Sequence, residues 1–173
     1  MDFASLIRSI PDFPIKGILF RDITTLIRDG DAFQDVVDTM VEHYVDTDID
    51  VVAAIEARGW IFGAPLAYEL GAGFVPVRKP SKLPAEKISV SYALEYGTNT
   101  LEMHKDAIAP GTKVLLVDDL LATGGSAKAA VELIEKLGGK VVSLAFLIEL
   151  VDLKGRDKLK AYDVFSMIPF EGA

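Results

Sequence analysis

Four short apolar runs set the terms on which this chain can fold: Val51–Ile55, Phe74–Val77, Val114–Val117 and Val141–Ile148. Each is nearly continuous in apolar residues, as expected of a strand buried on both faces rather than one. Stretches with helical spacing alternate with them. Within residues 31–45, Phe33, Val36, Val37, Met40, Val41 and Tyr44 recur on one face. A second helical stretch follows Glu56-Ala57-Arg58-Gly59, runs through Leu70 and is stopped by Gly71-Ala72-Gly73. A third, from about Gly125 to Leu137, aligns Ala127, Ala130, Val131, Ile134 and Leu137, and Gly138-Gly139 ends it. This alternation predicts parallel β-α-β units, hence an α/β fold with a central, mostly parallel sheet flanked by helices.

Two segments break the rhythm. Residues 1–30 carry Pro11, Pro14, Gly17 and the compact run Phe20-Arg21-Asp22-Ile23, and are expected to form a small hood over the mouth of the sheet. Residues 79–104 are punctuated by Pro80, Pro84 and Gly97, and Ile88–Tyr96 alternates as a β-hairpin arm would. An excursion of that length in a compact domain is usually functional, often a mobile lid. The 173 residues are expected to make one domain, 1–173, around one sizeable core.

Composition removes several function classes. With no cysteine and only two histidines, His43 and His104, neither a thiolate nor a histidine metal site is expected. The net charge of −8 disfavours nucleic acid and anionic membranes. No apolar run approaches the roughly 20 residues that span a bilayer, and the start MDFASLIRSI lacks the basic and apolar regions of a signal peptide. A cytoplasmic enzyme is therefore expected. Any polyanionic substrate would need local cations, and these occur at Arg58 and in Arg78–Lys82.

The segment VLLVDDLLATGGS, Val114–Ser126, is the most informative. A strand ending in Asp118 and Asp119 leads through Ala122, Thr123, Gly124, Gly125 and Ser126 into a helix. A helix N-terminus offers unpaired N–H groups and a positive dipole end, and glycines let the backbone close round a phosphate. Two acids beside a phosphate would repel it unless they bind sugar hydroxyls or help hold a divalent cation. The ligand implied has a phosphate, a diol and Mg²⁺. No lysine follows the second glycine, so this is not a Walker loop, nor is it a GxGxxG fingerprint.

VLLVDDLLATGGS resembles the phosphoribosyl pyrophosphate (PRPP) motif of type I phosphoribosyltransferases. Further segments resemble the adenine branch of that family: Asp12-Phe13-Pro14, then Gly17 through Thr24, Glu56 through Gly59, Phe74–Leu83, Leu94-Glu95-Tyr96-Gly97 with Leu101-Glu102, and Glu149–Leu159. The resemblance runs from about Ile7 to Phe170.

It implies transfer of phosphoribosyl from PRPP to adenine, giving AMP and pyrophosphate in purine salvage, with Mg²⁺ held mainly by PRPP near Asp118 and Asp119. It also implies roles. Ala122–Ser126 hold the 5-phosphate, and Asp118 and Asp119 meet the ribose. Arg58, Arg78, Lys79 and Lys82 serve pyrophosphate, with Arg78 the one expected to reach a neighbouring subunit's site in a homodimer. Leu19, Phe20 and main-chain groups at Arg21 hold adenine, Phe20 by stacking. Glu95 is the catalytic acid or base, with Tyr96 beside it. The family often has glycine where Ser81 stands. Two alternatives stay open at this point: transfer to hypoxanthine, guanine or xanthine, and a non-catalytic PRPP-sensing regulator.

Overall fold

The computed structural model describes residues 1–94 and 97–172. A two-stranded antiparallel ribbon, β1 (Arg8–Pro11) and β2 (Leu19–Asp22), leads into the short helix α1 (Thr24–Ile27) and the long helix α2 (Gly30–Tyr44). The chain continues through β3 (Val51–Ile55), α3 (Arg58–Glu69) and β4 (Gly73–Val77). An antiparallel hairpin, β5 (Lys87–Ala93) and β6 (Thr98–His104), precedes β7 (Lys113–Leu121), α4 (Gly125–Lys136), β8 (Lys140–Leu150) and β9 (Val164–Phe170).

β3, β4, β7, β8 and β9 form one parallel sheet in the order β4-β3-β7-β8-β9. The apolar runs become buried strands because both faces are covered. On one face Val114, Leu116, Leu144 and Phe146 pack with Ala130 and Ile134 of α4 and with Val90 and Leu101 of the hairpin. On the other, Leu115, Val117, Ala145 and Leu147 meet Leu26, Val36, Met40, Phe62 and Leu66 from α1, α2 and α3. No helix among the described residues is long and apolar enough to cross a membrane.

Two features depart from expectation. β7 does not stop at Val117. It continues through Leu121, because β8 supplies backbone partners past the apolar run, with Asp118 opposite Phe146 and Leu121 opposite Glu149. The carboxyl pair therefore lies within the strand. β9 (VFSMIPF) is unexpected, its apolar residues being interrupted by Ser166 and Pro169. It is an edge strand, as is β4, and each carries a proline (Pro169 and Pro76) that a central strand would not accommodate.

Candidate active site

At the C-terminal end of β7, Asp118 and Asp119 are buried, 9% and 4% exposed. Asp118 Oδ1 accepts the Asp119 N–H at 2.9 Å. Arg58, the first residue of α3, brings its Nε to 3.0 Å from Asp119 Oδ2. That contact is one of charge: the N–H is not aligned, and Oδ2 is left buried without a hydrogen-bond donor. Burial, then repulsion from Asp119, pushes the Asp118 carboxyl well above the usual carboxylate range. Burial also raises Asp119, against the pull of Arg58. The pair is thus poised for a partner that donates to it or brings positive charge.

The chain next turns into α4. Gly124 adopts φ 77°, which a side chain would disfavour, and caps the helix with no side-chain hydrogen bond. Contrast α2, whose first turn is closed by Asp29 accepting from the Ala32 N–H at 3.1 Å. A glycine cap is weaker than Asp or Ser by roughly a few tenths of a kcal/mol, and it leaves the first N–H groups of α4 without a side-chain acceptor. The open N–H groups of α4 face a cavity of about 260 Å³ lined by Asp118 through Ala127, Arg58, and Tyr92 and Leu94 of the hairpin. A second cavity, about 390 Å³, adjoins it and shares Arg58, Asp118, Asp119, Ser126 and Tyr92. Glu56, Ala57 and Lys79 are also on its wall. Helix N-terminal donors, buried carboxyls and cations thus line two adjoining cavities that share walls.

The other expected residues are placed as follows. The Arg58 guanidinium lies 5.3 Å from the centre of the Phe20 ring, and Phe13 meets that ring edge-on at 5.1 Å. Phe20 is therefore beside the cleft, at its Arg58 side. Leu19 faces a separate apolar cavity of about 150 Å³ with Ile18, Leu150 and Leu153. The Arg21 side chain turns inward, donating to Ser9 Oγ at 2.6 Å and lying over Phe170 at 4.1 Å. Its main chain pairs with Ser9 in the ribbon.

Among the loop cations, Lys79 reaches the cleft wall, whereas Arg78 and Lys82 do not line either cavity. Arg78 is held at home: Nε donates to Glu56 at 2.7 Å, a second nitrogen donates to the Lys82 carbonyl at 3.2 Å, and the guanidinium lies 5.0 Å from the Trp60 ring centre. Burial alone would raise Glu56, but the donors on Arg78 and Lys79 hold it below its ordinary value. Ser81 adopts φ 67°, a left-handed conformation that glycine enters more freely than serine. Glu95 and Tyr96 lie outside the described residues. His43 stacks on Phe165, and His104 accepts the Ala85 N–H. Both are structural.

Sequence reasoning gave no role to Glu56 or Tyr92. Glu56 fixes the neighbouring cation loop, and Tyr92 forms a wall of both cavities. An acid two residues before a loop arginine was the available signal for the first. The second had none, because alternation in a hairpin does not say which face meets a ligand.

No three His, Cys, Asp or Glu groups cluster as a metal cage among the described residues. Two buried carboxyls with one oxygen lacking a donor suit a hard cation that arrives on a ligand and keeps waters, not one held by protein alone.

The family model of the phosphoribosyl transferase domain matches residues 24–173. The chain is 62% identical to the adenine phosphoribosyltransferase of Halothermothrix orenii over 168 residues, 97% of this chain and 99% of that protein. Among solved structures, the adenine phosphoribosyltransferase of Thermoanaerobacter pseudethanolicus superimposes with a TM-score of 0.95 at 54% identity, covering 98% of each chain. The Saccharomyces cerevisiae enzyme, solved with an iminoalditol bisphosphate and adenine, does so at 0.89 and 42%, covering 95% of this chain and 96% of that one.

Proposed function

Because the chain belongs to the phosphoribosyl transferase family, in its adenine branch, we propose that the cleft beside β7 is where it moves phosphoribosyl from PRPP to adenine. The products are AMP and pyrophosphate, and the role is purine salvage. The observation that carries the site assignment is the buried, donorless Asp119 oxygen next to the uncapped start of α4. One accepts a sugar hydroxyl, and the other donates to a phosphate.

In this reading the N–H groups and hydroxyls of Ala122–Ser126 hold the 5-phosphate, and Asp118 and Asp119 accept from the ribose hydroxyls. Arg58 and Lys79 face the pyrophosphate. As the C1–O bond breaks, negative charge grows on the leaving group, so cations fixed there favour the transition state over the ground state. Mg²⁺ carried by PRPP would screen the same charge. Arg78 holds the loop through Glu56, and reaching a neighbour's site would first require leaving that partner.

Adenine stacks on Phe20, with the Arg21 main chain beside it, while Leu19 lines the neighbouring apolar cavity; N9 attacks C1 as its proton departs. Glu95 takes that proton and relays it. Tyr92 and Leu94 cover the cleft and keep water from the cationic sugar. We place the enzyme in the cytoplasm with its metabolites. We also read it as a homodimer.

A base panel tests the function. With PRPP and Mg²⁺, adenine should yield AMP and pyrophosphate, while hypoxanthine, guanine, xanthine and orotate should not. In the same assay Glu95→Gln should lower kcat by about 10²–10⁴. Turnover of an oxopurine would discard the base assignment, and an unchanged kcat would remove Glu95 from the chemistry.

A further inference from the structure

After β8, the chain makes two 3₁₀ turns, Val151–Leu153 and Gly155–Lys158, joined at Lys154 with φ 51°. From Val151 to Lys158 only Gly155 is buried. The segment therefore has almost no apolar anchor of its own until Leu159 enters the core.

Gly155 is pressed against the phosphate loop. A Cβ on Gly155 would lie 2.3 Å from the Ala122 carbonyl oxygen and 2.8 Å from Leu121 Cδ1. A Cβ on Gly124 would lie 2.5 Å from the Gly155 carbonyl oxygen. Two backbones abut here with no side chain between them, and Gly155 forms the outer support of the turn from which α4 starts.

Arg156 ties this support down. Its Nε and one terminal nitrogen fork onto the two carboxylate oxygens of Glu149, both at 2.8 Å. Its other terminal nitrogen donates to the Val164 carbonyl at 2.8 Å, and a further bond reaches Ser166 Oγ at 3.0 Å. Ser166 Oγ in turn donates to Glu149. Glu149 is 7% exposed and sits on β8 directly opposite Leu121, the last residue of β7 before the loop. The fork thus connects the strand beside the phosphate loop to the wedge that backs it.

We propose that Arg156 and Glu149 are positioning residues for the 5-phosphate: their fork holds Gly155 against Ala122–Gly124, so that the loop's N–H groups stay aimed without a ligand. A fork fixes angle as well as distance, and preorganised donors need no rearrangement when a dianion arrives. Arg156 is half exposed but Glu149 is buried, so breaking the fork also costs some global stability, and the positioning role is read from phosphate affinity in variants that remain folded. This inference rests on reading Ala122–Ser126 as the phosphate grip.

The test is calorimetric titration of ribose 5-phosphate and, separately, pyrophosphate. It uses the wild type, Arg156→Gln, Arg156→Lys and Glu149→Gln, with melting curves to show that each is folded. Arg156→Gln and Glu149→Gln should weaken ribose 5-phosphate roughly tenfold, the scale of lost outer partners at other sites. Pyrophosphate binding should stay unchanged, and the KM for PRPP should rise more than kcat falls. Arg156→Lys, which keeps the charge but not the fork, should fall between, and it carries the comparison should Arg156→Gln not fold. Equal ribose 5-phosphate affinity in all folded variants, or equal loss for both ligands, would overturn the positioning role and leave the grip standing. No ribose 5-phosphate binding by the wild type would overturn the grip itself, and this inference with it.

Discussion

Asp118 and Asp119 cost the free protein stability. Their carboxyls are raised from 3.8, chiefly by burial, so the folded chain holds protons more tightly than the unfolded one. Stability is therefore lost as pH rises from the unfolded value through the raised folded one, and at neutral pH the penalty is in force. Asp118→Asn should relieve it, since the amide oxygen can still accept from the Asp119 N–H. The expected gain is about 1 kcal/mol, or roughly 2–4 °C in Tm, larger at pH 8 than at pH 5, with weaker PRPP binding. A thermal scan at both pH values checks this, and a lower Tm or a gain independent of pH would contradict it. The identities of these acids were legible in the sequence. Their missing donor was not, because it depends on how Arg58, sixty residues earlier, is oriented. Arg78 carries the same lesson, since its charge was visible but its capture by Glu56 was not.

At the level of elements, α3 approaches the sheet through its glycines. A Cβ on Gly63 would lie 2.6 Å from Ala54 Cβ, and one on Gly59 would meet Asp118 Cα and the Val117 carbonyl at 3.0 Å. This close approach sets Arg58 beside Asp119. Gly63→Ala should therefore cost about 2 kcal/mol, as overpacking of a tight contact does. Gly30→Ala, at the start of α2 with nothing within 4 Å of the added methyl, should be nearly neutral. Urea midpoints of the two variants make the comparison, and equal effects would refute the packing argument. Strands β3, β4, β7 and β8 and all three long helices were legible because burial on both faces leaves a continuous apolar run, and burial of one helical stripe leaves a periodic one. β9 left a broken one, because an edge strand tolerates Ser166 and Pro169 among its apolar residues. The last residues of β7 were also hidden, because partner backbone, not side-chain hydropathy, extends that strand.

On the scale of the molecule, a chain of net charge −8 nevertheless gathers Arg58, Lys79 and the α4 N-terminus around adjoining cavities, the local positive charge that the proposed polyanionic substrate requires. The convergence follows from topology. β7 lies in the middle of the sheet, so its end receives α3 from one side and the β5–β6 hairpin from the other. The strand-helix alternation made the layers legible, and the resemblance of Val114–Ser126 made the family legible. The order β4-β3-β7-β8-β9 was not, since it depends on which strands pair. The most direct test of the central claim is a crystal structure of this chain with AMP. The account predicts phosphate oxygens accepting from the N–H groups of Thr123 through Ser126, ribose hydroxyls on Asp118 and Asp119, and the base against Phe20. A phosphate seated elsewhere, for instance between Lys128 and Lys158 in the neighbouring cavity, would contradict it.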